Sequence, residues 1–145
     1  MKLATHAVFT AGTLALILRA VGVEPWRALW EAWAVSILAN VVIDFLGHRG
    51  RRRSPLTHTP LRSLAWGALS SAPAVYLAHS YLPLLAGALA GPLHLALDVV
   101  TEHGIYICNP KCRRFALAHV RYNDPLANAL AVLLGIGSMY LALAR

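Results

Sequence analysis

The chain has 145 residues, of which 58% are apolar and 13% are charged, and its mean hydropathy is +0.57. Soluble domains carry roughly 25% charged residues, so this composition excludes an ordinary soluble domain and indicates one integral membrane domain. The formal net charge of +7 does not indicate nucleic-acid binding, because the basic residues bracket apolar stretches and show little interleaving with aromatic ones. Such a distribution is typical of topology signals and of contacts with anionic head groups.

Five apolar stretches predict an all-helical bundle of five transmembrane helices, because about 20 apolar residues cross a bilayer as a helix. The predicted spans cover residues 4–21, 26–46, 61–77, 84–101 and 124–143. Pro25 suits the first turn of the second helix, Pro73 predicts a kink in the third, and Gly91-Pro92 predict an interruption of the fourth. The first stretch resembles a signal peptide, but no small-residue cleavage site follows it, so we predict that it is retained.

Basic residues divide unequally between the two sides that five spans define. One side carries ten: Lys2, Arg49, Arg51, Arg52, Arg53, Arg62, Lys111, Arg113, Arg114 and Arg121. The other side carries three: Arg19, Arg27 and Arg145. By the positive-inside rule the side with ten is cytoplasmic. We therefore predict a multi-pass inner-membrane protein with its N-terminus inside and its C-terminus outside.

Histidines and aspartates lie where the apolar stretches end on this predicted cytoplasmic side. They are His6, Asp44, His48, His58, His94, Asp98 and Asp124. Several polar residues recur at helical spacing, namely Asn40-Asp44-His48, His94-Asp98-Thr101, His6-Thr10-Thr13 and Asp124-Asn128. Residues three or four positions apart share a helix face, and polar faces at membrane depth avoid lipid. Four helices are therefore predicted to turn these faces inward around one hydrated pocket.

Imidazole and carboxylate groups on adjacent helix turns are good ligands for zinc, manganese or iron. The predicted ligands of one or two ions, most simply zinc, are His6, Asp44, His48, His58, His94 and Asp98. A metal-bound water could then perform hydrolysis, with Asp98, His58 and Glu102 as catalytic residues and Glu102 as a general base. A structural His–Asp pair or a proton relay is the alternative interpretation of these residues.

The polar loops hold further candidates. Arginine matches phosphate bidentately, so a substrate phosphate could bind the loop arginines Arg49, Arg51, Arg52 and Arg53. The same arginines could serve topology alone, and the two roles are compatible. His103 and His119 are further candidate ligands, whereas His79 lies on the opposite side and is interpreted as interfacial. Cys108 and Cys112 could form a disulfide, contribute half of a metal site, or have no special role.

These residues resemble the motifs of the YdjM-type family, inner-membrane metal-dependent hydrolases described as LexA-binding, and of related archaeal membrane proteins. The matching pieces lie within residues 5–104: Thr5-His6, Asp44, His48-Arg49-Gly50, Thr57-His58-Thr59, and His94 to Asp98 with Thr101 and Gly104. Family members usually have a proline shortly before the aspartate of the second span, whereas Val42-Ile43 precede Asp44 here. The order of His and Asp is similar, more distantly, to zinc-dependent phospholipase C. The resemblance implies a metal-dependent hydrolase, of a phosphoester in particular.

The predicted function is thus hydrolysis of a lipid or lipid-like phosphoester at the cytoplasmic interface, where a head group would meet the ligands. One alternative is a transporter of protons or divalent cations. Such a protein needs polar residues in both halves of the bilayer, but the outer half of these spans is nearly all Leu, Ala, Val and Gly. The other alternative is a non-enzymatic membrane partner protein, in which buried Asp44, His94 and Asp98 would be costly without a purpose.

Overall fold

The computed structural model describes residues 1–49, 52–108 and 114–144. The described chain is mostly helical, with α1 Leu3–Ala20, α2 Pro25–Gly47, α3 Pro60–Ser70, α4 Ala72–Ala78, α5 Leu82–Asp98 and α6 Pro125–Ala144. Two short antiparallel ribbons lie in the loops. Strand β1 His48–Arg49 pairs with β2 Arg52–Arg53, and β3 Ile105–Tyr106 pairs with β4 Arg114–Phe115.

Three of these helices are long and apolar enough to cross a membrane, namely α1, α2 and α6. Their bounds agree closely with the first, second and fifth predicted spans, which confirms that these stretches are long apolar helices. Helix α5 is equally apolar but has only 17 residues. Proline begins α2 at Pro25, as predicted, and the Glu24 carboxylate accepts hydrogen bonds from the backbone nitrogens of Trp26 and Arg27.

The predicted third span is two helices, since the chain breaks between α3 and α4 at Ser71. Pro73 lies in the first turn of α4 and has no N–H to donate to the carbonyl four residues earlier. At the break, the Ser71 backbone nitrogen donates instead to Ala68 O, and the Ser71 hydroxyl donates to Gly67 O. The sequence predicted a kink at Pro73. The structure instead has a complete break of the helix at Ser71, two residues before the proline.

Helix α5 differs from the prediction at both Pro92 and its end. The helix continues through Gly91-Pro92, where an interruption was predicted, and it ends at Asp98, not at Thr101. Thr101 closes the last turn, because both its nitrogen and its hydroxyl donate to the Asp98 carbonyl. The next two carbonyls, of Val99 and Val100, accept bonds from the loop that returns at residues 117–120, and this draws the chain out of the helix.

Small residues allow the helices to approach each other closely, as in other membrane bundles. Gly12 of α1 meets the backbone of Gly135 of α6 so closely that a Cβ at either position would overlap the other helix. Gly67 of α3 packs in the same way against Gly87 and Gly91 of α5. Helices α1 and α2 also pack against each other and α2 contacts α5. This antiparallel arrangement brings the start of α1 and the ends of α2 and α5 to one end of the bundle.

Candidate metal centre

The six residues that the sequence predicts as metal ligands come together at this end of the bundle. Their ligand atoms form two groups, each within 4.8 Å, one of His6, His94 and Asp98 and the other of Asp44, His48 and His58. The groups adjoin each other, because His94 Nε2 lies 3.4 Å from Asp44 Oδ1 and His58 Nε2 lies 3.3 Å from Asp98 Oδ2. They form a single cluster, which we call the His–Asp cluster.

Local structure explains how each segment reaches the cluster. His94 and Asp98 lie one turn apart on α5, which places His94 Nε2 3.2 Å from Asp98 Oδ2. Asp44 occupies the last turn of α2, and His58 lies in the loop just before α3. That loop packs directly on Gly47 at the end of α2, where a Cβ would overlap both the Thr57 hydroxyl and the His58 ring. Glycine at position 47 therefore lets His58 approach Asp44.

The hydrogen bonds around His94 determine which of its ring nitrogens carries the proton. The Asn40 side-chain nitrogen donates to the backbone carbonyl of Ser36 at 2.8 Å, and this orients the amide. Asn40 Oδ1 then faces His94 Nδ1 at 2.7 Å and can only accept a hydrogen bond. His94 Nδ1 must carry the proton, so in the neutral ring Nε2 presents a lone pair towards Asp44 and Asp98.

An independent chain of bonds gives His58 the same tautomer. The Thr57 hydroxyl donates its only proton to the Ile43 carbonyl at 3.1 Å, so it accepts from His58 Nδ1 at 2.8 Å. His58 lies in a loop outside the apolar helices. Burial lowers the pKa of its imidazole below the ordinary value, and this favours the neutral ring. His58 Nε2 is then a bare lone pair, as His94 Nε2 is. Partners that fix the far nitrogen of an imidazole in this way are typical of metal-ligating histidines.

When both imidazoles are neutral, the atoms that face one another are all acceptors. His58 Nε2, His94 Nε2 and Asp98 Oδ2 are buried, and none has a hydrogen-bond partner among the residues that the structure describes. Acceptors that oppose each other at 3.2–3.4 Å repel one another unless a proton or a metal cation lies between them. Two ligands each about 2.0 Å from a tetrahedral ion are about 3.3 Å apart, and these three distances match that spacing, whereas His58 Nε2 lies 4.0 Å from Asp44 Oδ1.

The other oxygen of Asp98 is held by the protein. Arg53 Nη2 donates to Asp98 Oδ1 in a short contact, and His6 Nε2 lies 3.1 Å from the same oxygen. Arg53 Nη1 donates to the carbonyls of Asp98 and Gly104 and to the Thr101 hydroxyl. Arg53 is only 5% exposed. The structure thus engages Arg53 within the protein, whereas the sequence predicted it as a ligand of substrate phosphate.

His6 lies against His94, with ring centroids 4.0 Å apart and ring planes inclined by 16°. Its Nδ1 is buried and has no hydrogen-bond partner among the described residues. A metal ion lies along the lone pair of its imidazole ligand, in the plane of the ring. Two nearly parallel stacked rings could not both direct a lone pair at the same ion, so His6 and His94 would not be ligands of one ion.

A cavity of about 800 Å³ opens onto the cluster from the loops. It is lined by Met1, Lys2, Leu3, Asp44, His48, Arg53, Glu102, His103 and Tyr122. Asp44 is 18% exposed and His48 is 42% exposed, whereas His58 and His94 are fully buried. The deep side of the cluster is therefore sealed by protein, and the Asp44 side is open to water and to a small substrate group.

Other candidates lie away from the cluster. His119 is exposed with φ of 52°, and His79, with φ of 45°, ends α4. Asp124 accepts from the Ala127 nitrogen at the start of α6, and Asn128 binds Thr5 and Lys2. The two polar residues at helical spacing on α6, Asp124 and Asn128, therefore connect α6 to α1 instead of lining the pocket.

Cys108 is disulfide-bonded and so is not a free thiolate. Arg51 and Cys112, and the side chains of Arg49 and Arg52, lie outside the described part of the chain.

Sequence reasoning missed the residues that orient the ligands. Ser36 lies four residues before Asn40 and so shares a helix face with Asn40 and Asp44. That spacing could have shown that Ser36 is placed to orient the Asn40 amide. Thr57 stands next to His58, but only the close packing of its loop on α2 shows that its hydroxyl orients the ring. No sequence signal in this run of arginines indicates that Arg53 is buried.

Comparison with known proteins gives one family. The family DUF1286, described as a protein of unknown function, matches residues 1–97. The matched segment covers about two thirds of the chain and ends one residue before Asp98. It includes the other five members of the His–Asp cluster. No curated protein and no solved structure matches the chain.

Proposed function

We propose that this chain, which belongs to the DUF1286 family of proteins of unknown function, is a membrane-embedded, metal-dependent hydrolase. The observation that carries the proposal is the set of unpartnered acceptors at the His–Asp cluster. Two oriented imidazole lone pairs face two carboxylates in a buried site, an arrangement that a divalent cation stabilises. The donor set of nitrogen and oxygen atoms favours zinc, with manganese or iron as alternatives.

Membrane integration is supported by the three long apolar helices and by what lies on their surface. Large apolar side chains such as Phe45, Leu133 and Leu134 are mostly exposed, as expected of residues in contact with lipid. Trp26, Trp30, Tyr76, Tyr81 and Tyr140 are also exposed, towards the helix ends remote from the cluster. Aromatic residues concentrate at membrane interfaces. We propose that the α3–α4 pair and α5 complete five spans, with the His–Asp cluster at the cytoplasmic interface.

The residues that would hold the ion are Asp44, His58, His94 and Asp98. A zinc ion at such a site lowers the pKa of a bound water towards neutrality. The chain contributes the shape of the site: Asn40 and Thr57 orient the histidines, and the open side at Asp44 admits water. Glu102 borders the same cavity and is exposed, so we assign it as the general base that accepts a proton from an incoming water.

The substrate class we propose is a phosphoester of a lipid or lipid-like molecule. The cavity that leads to the cluster has a cationic side chain, Lys2, and apolar rim residues, Leu3 and Tyr122, which suits a head group attached to an acyl chain. Arg49, Arg51 and Arg52 stay candidates for phosphate contacts. The resemblance to YdjM-type hydrolases and to zinc-dependent phospholipase C supports the same chemistry.

The test is hydrolysis by purified, zinc-loaded protein of a panel of phospholipids, measured as release of phosphate or phosphorylated head group. His58→Asn and Asp98→Ala should abolish activity, because each removes a proposed ligand. His119→Asn is the matched control, because asparagine tolerates the positive φ there and the residue is remote from the cluster. If no lipid is hydrolysed by metal-loaded protein, the phospholipid substrate is wrong; equal activity in the His58→Asn variant would contradict the site.

A further inference from the structure

We propose that the His–Asp cluster binds a single ion at Asp98 Oδ2, and that the Arg53 guanidinium occupies the place of a second cation at Asp98 Oδ1. This inference deepens the proposed function and rests on it. The two groups of ligand atoms in the cluster resemble two separate metal sites, of which the first would contain His6, His94 and Asp98. The contacts of Arg53 and His6 argue against that reading.

Arg53 is fixed where a second ion would need to bind. Its Nη2 donates to Asp98 Oδ1, and its Nη1 is held by Gly104 O at 2.7 Å and by the Thr101 hydroxyl at 3.1 Å. A buried guanidinium anchored at several points cannot easily move aside. A divalent ion bound to Oδ1 would lie next to this positive charge in a site with little water to screen it. Oδ1 is therefore unavailable to a metal ion.

His6 contacts the same oxygen of Asp98 as Arg53 does, and we infer that it is not a ligand of the ion. Its ring stacks on His94, so an ion held by the His94 Nε2 lone pair would not meet a lone pair of His6. His6 Nε2 is 3.1 Å from the oxygen that Arg53 already holds. We assign Nε2 of His6 as a hydrogen-bond donor to Asp98 Oδ1. His6 and Arg53 together then orient the carboxylate so that only Oδ2 faces His58 and His94, which makes both of them positioning residues.

The single ion therefore has four candidate protein ligands, namely Asp44, His58, His94 and Asp98, and a water on the open side at Asp44 would be the fifth ligand. His48 lies at the open side, where its Nδ1 is 3.6 Å from Asp44 Oδ1 and its side chain is 42% exposed. It is placed to hydrogen-bond to Asp44, not to complete a second metal site. A positive charge supplied by Arg53 partly offsets the two carboxylates without a second metal ion.

The experiment counts Zn²⁺ by mass spectrometry in detergent-purified, monodisperse protein. We expect one ion per chain in the wild type and in His6→Gln, because the glutamine amide can still donate to Asp98. His58→Gln and His94→Gln should lose the ion. Replacement of Zn²⁺ by Co²⁺ adds a spectroscopic test, because visible absorption reports the ligand set. The Co²⁺ spectrum should be the same in His6→Gln as in the wild type.

Two ions per wild-type chain, or a Co²⁺ spectrum altered by His6→Gln, would overturn the inference and leave a metal-dependent hydrolase in place. If His6→Gln does not fold, His6→Asn supplies the same donor, and the wild-type stoichiometry still decides the number of ions. A wild-type chain that binds no Zn²⁺ contradicts both proposals. One bound ion with no hydrolytic activity supports the inference and contradicts the proposed reaction alone.

Discussion

The side-chain oxygen of Asn40 lies 2.7 Å from Nδ1 of His94, and this bond connects α2 to α5 at the base of the His–Asp cluster. Because the Asn40 amide is itself oriented by the Ser36 carbonyl, the bond determines the tautomer of His94. The lone pair that His94 presents to the cluster therefore depends on a residue outside the cluster. The site is thus built from pairs of residues, a ligand and the residue that orients it.

Replacement of Asn40 by leucine should weaken zinc binding by roughly 10- to 100-fold, the usual effect of losing a partner of a metal ligand. Leucine has a similar volume but offers no acceptor to His94 Nδ1, so the ring is free to take the other tautomer. Competition with a chelating dye measures the affinity. Thr13→Val is the control, because the Thr13 hydroxyl donates to Phe9 O within its own helix and, among the described residues, has no contact with the cluster. Unchanged affinity in Asn40→Leu would contradict the assigned tautomer.

Replacement of Gly47 by alanine should reduce zinc affinity by at least about tenfold, because the added methyl would overlap the Thr57 hydroxyl and the His58 ring. The loop that carries His58 would be displaced from Asp44 while the helices stay packed. The matched control is Gly137→Ala, since a Cβ at Gly137 meets nothing within 4 Å. Equal affinity in the two variants would show that the loop adjusts without moving His58.

Replacement of Gly91 by alanine should lower the free energy of unfolding by about 1–3 kcal/mol, the usual cost of overpacking. A Cβ at this position would overlap the backbone carbonyl of Ser63, so α3 and α5 would have to separate. Reversible denaturation in detergent measures the change. Gly137→Ala again serves as the control, and it should be neutral or slightly stabilising, because alanine favours the helix over glycine. A stabilised Gly91→Ala variant would contradict the close approach of α3 and α5.

A reporter fused after residue 145 should give the signal of the outer compartment, because the ten basic residues on one side of five spans predict an inside N-terminus. A fusion after Pro55, in the loop between α2 and α3, should give the cytoplasmic signal. A cytoplasmic signal from the C-terminal fusion would mean an even number of spans, for example if the α3–α4 pair does not cross.

Wild-type protein in sealed liposomes should not move protons or divalent cations, because the His–Asp cluster lies at one end of the bundle. The polar residues at the break between α3 and α4 are Ser70 and Ser71, and both hydroxyls donate to Gly67 O within the helix. A pH- or zinc-sensitive dye inside the liposomes measures transport, with an ionophore as the positive control. Saturable uptake that is lost in His94→Ala and Asp98→Ala would favour a transporter over the hydrolase.

Much of the fold and the membership of the cluster could be predicted from local spacing. Long apolar runs predict α1, α2 and α6, and Pro25 predicts the start of α2, because a membrane-spanning helix depends on composition and length. His94 and Asp98 share a face because they lie one turn apart. Antiparallel neighbouring helices then place the start of α1 and the ends of α2 and α5 at the same end. The candidate ligands therefore come together by simple geometry.

The elements that could not be predicted depend on contacts between distant segments. The chain breaks at Ser71, two residues before Pro73, at a point where α3 packs closely on α5. Asp124 and Asn128 have the same spacing as the cluster residues, yet they cap α6 and bind the start of α1. Helical spacing shows which residues share a face but not which neighbour that face meets.

By itself the sequence determined the apolar helices and the residue types that meet at one end of the bundle, because both follow from composition and from the 3.6-residue period. Only the tertiary structure decided what each polar residue does there. Arg53 has the same chemistry as Arg52, but burial against Asp98 and Thr101 engages it within the protein. The roles of Asn40 and Thr57 depend on hydrogen-bond direction, and direction is a property of packed neighbours in space.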